Sequence, residues 1–357
     1  MAANPNETKG GPVVSVIVPA RNEEACLDAC LRSLLFQSGI HFEIIVVNDH
    51  STDRTREIAE GYAAVQVIDA DPLPEEWTGK NHAAWCGARI ARGKWLLFTD
   101  ADTVHLPDSL WRAVREADEN SADLLSYSPK QEVHGFFQRA LMPVIFAELR
   151  MQYPPERVRN PYSKIAAANG QYLLITRPAY DAIGGHAAVR DSILEDVEIA
   201  KRVKAEEATI HFRYGSDAVR TRMYRSFWQM CEGWTKNLAL LFPDTMKLVG
   251  KRSLEFFLSF GGLLALIFGL KFHILRLAEA GGVTTIPVTM NYFFQVRKAH
   301  FGWINTIISP IGLPIFVLLL LRSRLHYRRN DVIWKGRHYH PGSPEEAPES
   351  AKATSNT

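Results

Sequence analysis

Short apolar runs alternate with helical periodicity over the first two hundred or so positions of this chain. Trp95 to Phe98 is too short and too uniformly apolar for an amphipathic helix, and Val13 to Val18, Glu43 to Val47 and Val65 to Ile68 are short, largely apolar and β-branched. They read as buried strands. Between them Leu27, Leu31, Leu34 and Leu35 keep helical spacing. A second helix is expected over Asp53 to Tyr62, with Ser51 or Thr52 as its cap. Pro107 opens another through Glu116, and further strands are expected at Asp123 to Ser126, Tyr172 to Ile175 and Thr209 to Tyr214. Strands alternating with helices predict an α/β fold with a mainly parallel sheet and helices on both faces.

The pattern changes twice. Phe136 to Met151 is apolar with few charges but is interrupted by Pro143, and it reads as an interfacial helix against a bilayer, with a buried core helix as the alternative. Beyond residue 250 the chain is mostly apolar: Leu254 to Leu270, a shorter stretch Thr284 to Phe294, and Trp303 to Leu321 with Pro310 and Pro314 inside. The last is long enough to span a membrane, and the first reaches that length if extended to Leu277. Arg322, Arg324, Arg328 and Arg329 then predict a cytoplasmic exit. Two spans with a re-entrant or interfacial middle segment follow. Residues 1–12 are expected to be a flexible start, 13–245 a cytoplasmic domain, 250–330 membrane-associated helices and 331–357 a cytoplasmic tail with a disordered end. The polar start has no apolar core for a signal peptide, so a cell inner-membrane protein with its first domain in the cytoplasm is expected.

Composition adds little to this. A net charge of +2 over 357 residues implies no nucleic-acid partner. The four cysteines, Cys26, Cys30, Cys86 and Cys231, form no Cys-x-x-Cys pair and read as small core residues in a reducing compartment.

The chemistry concentrates at strand ends. Lys94 to Asp102 is an apolar run that finishes in two carboxylates two residues apart, Asp100 and Asp102. Such a pair can aim at one hard cation, Mg²⁺ or Mn²⁺, held by carboxylates together with substrate phosphates. Alone the triplet is weak, because most are turns or caps. Glu23 and Asp49 also fall just past strand ends, where open α/β sheets bind ligands. Trp77-Thr78-Gly79-Lys80 reads either as a turn with a helix start or as a phosphate site with Lys80 as its cation. Glu195 and Asp196 suit a helix N-terminus, but that does not explain the apolar approach Ile193-Leu194. Arg220, Arg222 and Arg225 could neutralise a diphosphate, meet anionic headgroups or form a solvated face.

Val16 to Glu24, Val46 to Asp53, Asp100-Ala101-Asp102 and Glu195-Asp196 resemble the signature series of family 2 inverting glycosyltransferases, in order and spacing over residues 13 to about 240. Trp77 to Lys80, Ala168-Asn169-Gly170-Gln171, Gly184-Gly185-His186, Gly233-Trp234-Thr235-Lys236-Asn237 and Val332 to Tyr339 resemble a membrane-attached subgroup associated with hopanoid and carotenoid glycosylation. The resemblance implies a Rossmann-like nucleotide-sugar-binding sheet of the GT-A type. Pro19, Glu23 and Asp49 would surround a uridine, Asp100 and Asp102 the ribose and a metal-bound diphosphate, and Asp196 would be the base. Lys80, Glu195, Arg222, Trp234 and Lys236 are further substrate or phosphate contacts. Processive relatives carry Gln-x-x-Arg-Trp, which Arg222 to Trp228 does not reproduce, so single-sugar transfer is expected. The leading expectation is a metal-dependent enzyme moving one sugar from a UDP-sugar to a membrane lipid hydroxyl. A polyprenyl-phosphate glycosyltransferase and a non-catalytic membrane scaffold are the alternatives.

Overall fold

The computed structural model describes residues 11–329, 332–334 and 337–339. The expectations for residues 1–10, for the disordered end and for most of the tail beyond 329 lie outside those residues. From the N-terminus the chain forms β1 (Val14–Ala20), α1 (Leu27–Leu35), β2 (Phe42–Asn48), α2 (Thr55–Glu60), β3 (Val65–Asp69), α3 (Gly79–Ile90), β4 (Trp95–Phe98) and β5 (Thr103–His105). It continues through α4 (Ser109–Glu119), β6 (Leu124–Ser128), β7 (Lys130–Gln131), α5 (Gly135–Gln152), α6 (Pro155–Arg159), β8 (Leu173–Thr176), α7 (Arg177–Ala182), α8 (Glu195–Ala205), β9 (Ile210–Tyr214) and β10 (Val219–Thr221). Helices then dominate: α9 (Phe227–Leu241), α10 (Thr245–Lys271), α11 (Leu275–Lys298), α12 (Trp303–Ile308) and α13 (Gly312–Arg328), before the short pair β11 (Val332–Trp334) and β12 (Arg337–Tyr339).

The main sheet has the order β3-β2-β1-β4-β8-β6-β9. β8 is antiparallel to β4 and β6, and every other pairing in that sheet is parallel. Strands covered on both faces need apolar residues at consecutive positions. In β1, Val16 and Val18 join the core under α1 and α4, while Ile17 joins the core under α3. A second sheet, β5-β10-β7, lies beyond β4. Its β10 pairs antiparallel with β5, Thr221 opposite Thr103, and so brings the approach to α9 beside the loop that carries Asp100 and Asp102.

Three local expectations are corrected. Neither Ser51 nor Thr52 caps α2; the Asp53 carboxylate accepts the Thr55 N–H at 3.0 Å instead. Pro107 precedes the fourth helix, which starts at Ser109. And α5 is a core helix rather than an interfacial one. Ala140 to Glu148 is buried, packed with α9 and α13 in a third apolar cluster. Its two ends are open to solvent, Phe136 and Phe137 at the first turn and Met151 at the last. A buried Glu148 is compatible with that position because the Arg252 guanidinium of α10 pairs with it.

Two helical segments, Thr245–Lys271 and Trp303–Arg328, are long and apolar enough to cross a membrane. The first stops at Lys271 rather than running on to Leu277, and the middle segment is a continuous helix, α11, of 24 residues. It lies along α10 because both faces carry small residues: a Cβ on Gly281 would come within 2.4 Å of the Leu266 nitrogen, and one on Gly269 within 2.3 Å of the Ala278 nitrogen. Small residues at such a seam let helix backbones approach closely in lipid. Gly281→Leu is therefore expected to separate the pair and cost roughly 1–3 kcal/mol, read as a lower thermal midpoint in detergent.

Candidate active site

The loops after β1, β2 and β4 meet at one end of the sheet because β1 lies between its two parallel neighbours. They are stitched together locally. The Asp49 N–H donates to Ala20 O at 2.8 Å, the Glu23 N–H to Thr55 Oγ1 at 2.7 Å, and the Arg21 guanidinium to Asp49 O at 2.9 Å. The turn holding Asp100 and Asp102 is fixed through its own carbonyls: Thr103 Oγ1 donates to Asp100 O at 2.7 Å and Thr221 Oγ1 to Asp102 O at 3.3 Å.

Thr78 caps α3, accepting the Asn81 N–H at 3.3 Å, which sets Lys80 in the first turn. The Lys80 ammonium bridges two carboxylates, Asp100 at 2.7 Å and Glu195 at 2.8 Å. Burial opposes its charge, but those two carboxylates outweigh it and hold its pKa well above the ordinary lysine value. Gly170 is close to all of this: a Cβ there would lie 3.0 Å from Lys80 Nζ and 3.2 Å from Glu195 Oε1.

Asp196 follows Glu195 in the first turn of α8. The Gly170 N–H and the Val197 N–H each donate to its carboxylate at 2.8 Å. Burial and the neighbouring Glu195 carboxylate nevertheless push its pKa up to about 6, against the opposing pull of Lys80 and the two amides. On α9, burial brings Lys236 down to about 8; nearby Glu195 acts against that fall and Lys80 adds to it.

One cavity of about 380 Å³ joins these groups. Pro19, Glu23, Asp49, Lys80, Asp100, Asp102, Glu195, Asp196, Arg222, Trp234 and Lys236 all line it. Most of these side chains are charged. Phe146 and Leu149 of α5, Tyr153, and Leu241 of α9 add an apolar part to the lining. Ile193 and Leu194 belong to the wall as well, which explains the apolar approach to the Glu195-Asp196 pair.

Other expected contacts take more specific forms. Arg220 turns to Glu132, 3.4 Å away, so only Arg222 and Arg225 of that cluster reach the cavity. Arg225 crosses to Ala25 O at 2.5 Å. The Trp234 indole N–H donates to Met142 Sδ at 3.3 Å, so its polar end is used within the protein. Thr221, Tyr153 and Asn237 had no site role in the sequence reading, whereas the small residues before Asn169-Gly170 allowed close approach of a ligand or of another backbone. Thr221 and Tyr153 had no local signal, since each depends on contacts with distant segments.

The carboxylates suit a hard cation, because the donors at Asp100 and Asp102 are oxygens, while the Cys30 thiol faces the Asp100 carbonyl at 3.8 Å and the Cys26 thiol is engaged by Glu23 at 3.1 Å. Among the described residues no group of three or more His, Cys, Asp or Glu is arranged to hold a metal unaided. A cation here would need further oxygens from a substrate, which is the mode Mg²⁺ favours.

The family model for glycosyl transferase family 2 matches residues 15–198. The chain belongs to this family. It is similar along most of its length to 4,4'-diaponeurosporenoate glycosyltransferase of Staphylococcus aureus (strain USA300), 26% identical over 336 residues, 91% of this chain and 88% of the relative. The protein of strain MRSA252 with the same name is 27% identical over the same span. Among solved structures, a mannosyltransferase from Pyrobaculum calidifontis in complex with GDP-Man and Mn²⁺ has a TM-score of 0.53 at 18% identity, covering 89% of this chain and 87% of that one. The fold is thus that of GT-A glycosyltransferases, and this family 2 member resembles the carotenoid-associated subgroup.

Proposed function

We propose that the cavity transfers a single sugar, with inversion, from a UDP-sugar to the hydroxyl of a membrane lipid of hopanoid or carotenoid type. The observation that carries this reading is the position of Asp196. It is a half-buried carboxylate, fixed by two backbone amides, in a cavity lined by both charged and apolar side chains. In this reading Pro19, Glu23 and Asp49 enclose the nucleotide, and Asp100 reaches its ribose. Lys80, Lys236 and Arg222 face the diphosphate. Asp100 and Asp102 would hold Mg²⁺ or Mn²⁺, which when bound supplies positive charge to the departing diphosphate. Asp196 takes the proton of the attacking hydroxyl, while Phe146, Leu149, Tyr153 and Leu241 receive the apolar acceptor and exclude water.

The relative's name specifies a carotenoid-type acid, 4,4'-diaponeurosporenoate, as what it glycosylates, and the Pyrobaculum structure holds a nucleotide sugar with Mn²⁺. The first supports a long apolar acceptor and the second a nucleotide-sugar donor with a cation; the uridine and the hydroxyl are this proposal's own. The same reading divides the chain into a cytoplasmic catalytic domain over residues 13–245 and membrane-associated helices over 250–330, with the two apolar segments as spans and the arginines after Leu321 on the cytoplasmic side.

The test is transfer from radiolabelled UDP-glucose, UDP-N-acetylglucosamine and GDP-mannose into the lipid extract of membranes containing the protein, with and without Mn²⁺. Cation-dependent label in a neutral, alkali-stable lipid is expected from a UDP donor. Label confined to an acid-labile phospholipid would instead indicate a polyprenyl-phosphate acceptor. No lipid label in the presence of bound donor would overturn the lipid acceptor.

The raised pKa of Asp196 gives a second check. The base works deprotonated, so kcat/KM is expected to be level above pH 7 and to fall about tenfold per unit below its pKa of about 6. An acid limb near 4 instead would remove Asp196 from that role.

A further inference from the structure

One stripe of α9 faces the cavity: Gln229, Gly233, Lys236, Asn237 and Leu241. Most polar groups along this helix are accounted for inside the protein. Gln229 Oε1 accepts the Arg225 N–H at 2.8 Å, Thr235 Oγ1 donates to Cys231 O at 2.6 Å, and Leu241 O accepts from the Tyr153 hydroxyl at 3.2 Å. Asn237 differs. Among the described residues, its side-chain oxygen is buried with no hydrogen-bond partner.

Buried polar atoms nearly always have a partner, and each exception needs a cause. Asparagine is also a poor residue in mid-helix, because its amide competes with the backbone. A leucine would fit the helix better and leave nothing unpaired. The arrangement therefore makes sense when a ligand in the cavity supplies the missing donor.

We propose that Asn237 is a specificity-determining contact, its side-chain oxygen accepting a hydrogen bond from a hydroxyl of the bound substrate. The inference rests on the sugar-transfer reading of the same cavity. A neutral hydroxyl suits the position better than a cation, because Lys236 stands next to it in the chain and faces the same space. Two sources carry this chemistry, the sugar of the donor and the alcohol of the acceptor. A site built to bind a hydroxyl discriminates strongly against ligands lacking it, so the contact would select among sugars or among lipid head groups.

The experiment compares the full-length protein with Asn237→Leu and Asn237→Ala in detergent. Binding of UDP, UDP-glucose and UDP-N-acetylglucosamine is measured by calorimetry, and the KM for acceptor with the membrane lipid extract. A donor-sugar contact lowers the affinity of a UDP-sugar relative to UDP by about tenfold or more in both variants, with UDP itself unchanged. An acceptor contact leaves all three affinities unchanged and raises the acceptor KM about tenfold or more. Either result supports the proposal and identifies the source. Asn237→Leu should also raise the thermal midpoint of the ligand-free protein. Unchanged donor affinities together with an unchanged acceptor KM would overturn the proposal. Failure of the wild-type protein to bind UDP would overturn the nucleotide-sugar reading instead, and this inference with it.

Discussion

Replacing Asp196 with asparagine is expected to lower kcat by roughly three orders of magnitude, the range of general-base catalysis, while donor affinity stays within about threefold of wild type. The two side chains have nearly the same shape, so the cavity is preserved. What changes is proton affinity. The carboxylate accepts from both the Gly170 and Val197 amides, whereas an asparagine has only one oxygen to offer and must turn its NH₂ toward one of those N–H groups. A small loss of stability follows from that mismatch. The two effects separate cleanly: UDP titration and the thermal midpoint report the fold and donor site, and single-turnover transfer reports the base. Full activity in the variant would remove Asp196 from catalysis.

Asp102→Asn is expected to produce the second-largest loss, roughly two to three orders of magnitude in transfer, comparable to removing one electrostatic stabiliser of a developing anion. Its backbone is held by Thr221, so the turn should keep its shape when the charge is removed. The expected signature is a shift of the Mn²⁺ dependence to higher concentration together with weaker binding of UDP-sugar. Direct Mn²⁺ binding by electron paramagnetic resonance supplies a readout independent of turnover. Unchanged metal and donor binding in Asp102→Asn would place the cation elsewhere. Asp100→Asn is less clean, because Lys80 would lose one of its two carboxylate partners.

Much of the site was legible because its residues sit where short apolar runs end. β1, β2 and β4 are buried on both faces, so each carries a consecutive apolar run, Val16 to Val18, Ile44 to Val47 and Trp95 to Phe98, and the polar residues that follow mark the end of the sheet where the cavity lies. Pairing over long distances was not legible. β8 enters the sheet antiparallel between β4 and β6, and β5, β7 and β10 are too short for any periodic signal. Those strands bring Thr221 to the Asp102 turn, a contact across 119 positions.

The helices show a different limit. An apolar run with few charges has the same signature whether it lies on lipid or inside a core, and α5 was read the wrong way for that reason. The charge within it, Glu148, is paired with Arg252, about a hundred residues away and nearly fully buried. Of α11 only the shorter apolar stretch Thr284 to Phe294 was legible; the helix begins at Leu275 and includes Gly281 and Gly282. The glycines are what allow it to lie against α10.

The most direct test of the whole account is the anomeric configuration of the product. The protein would be given an α-linked UDP-sugar, Mn²⁺ and the membrane lipid acceptor, and the purified glycolipid examined by NMR. A single sugar in β-linkage is the predicted result, since one in-line displacement assisted by one base inverts the anomeric carbon. An α-linked product would require a double displacement or a different mechanism, and would contradict the role given to Asp196.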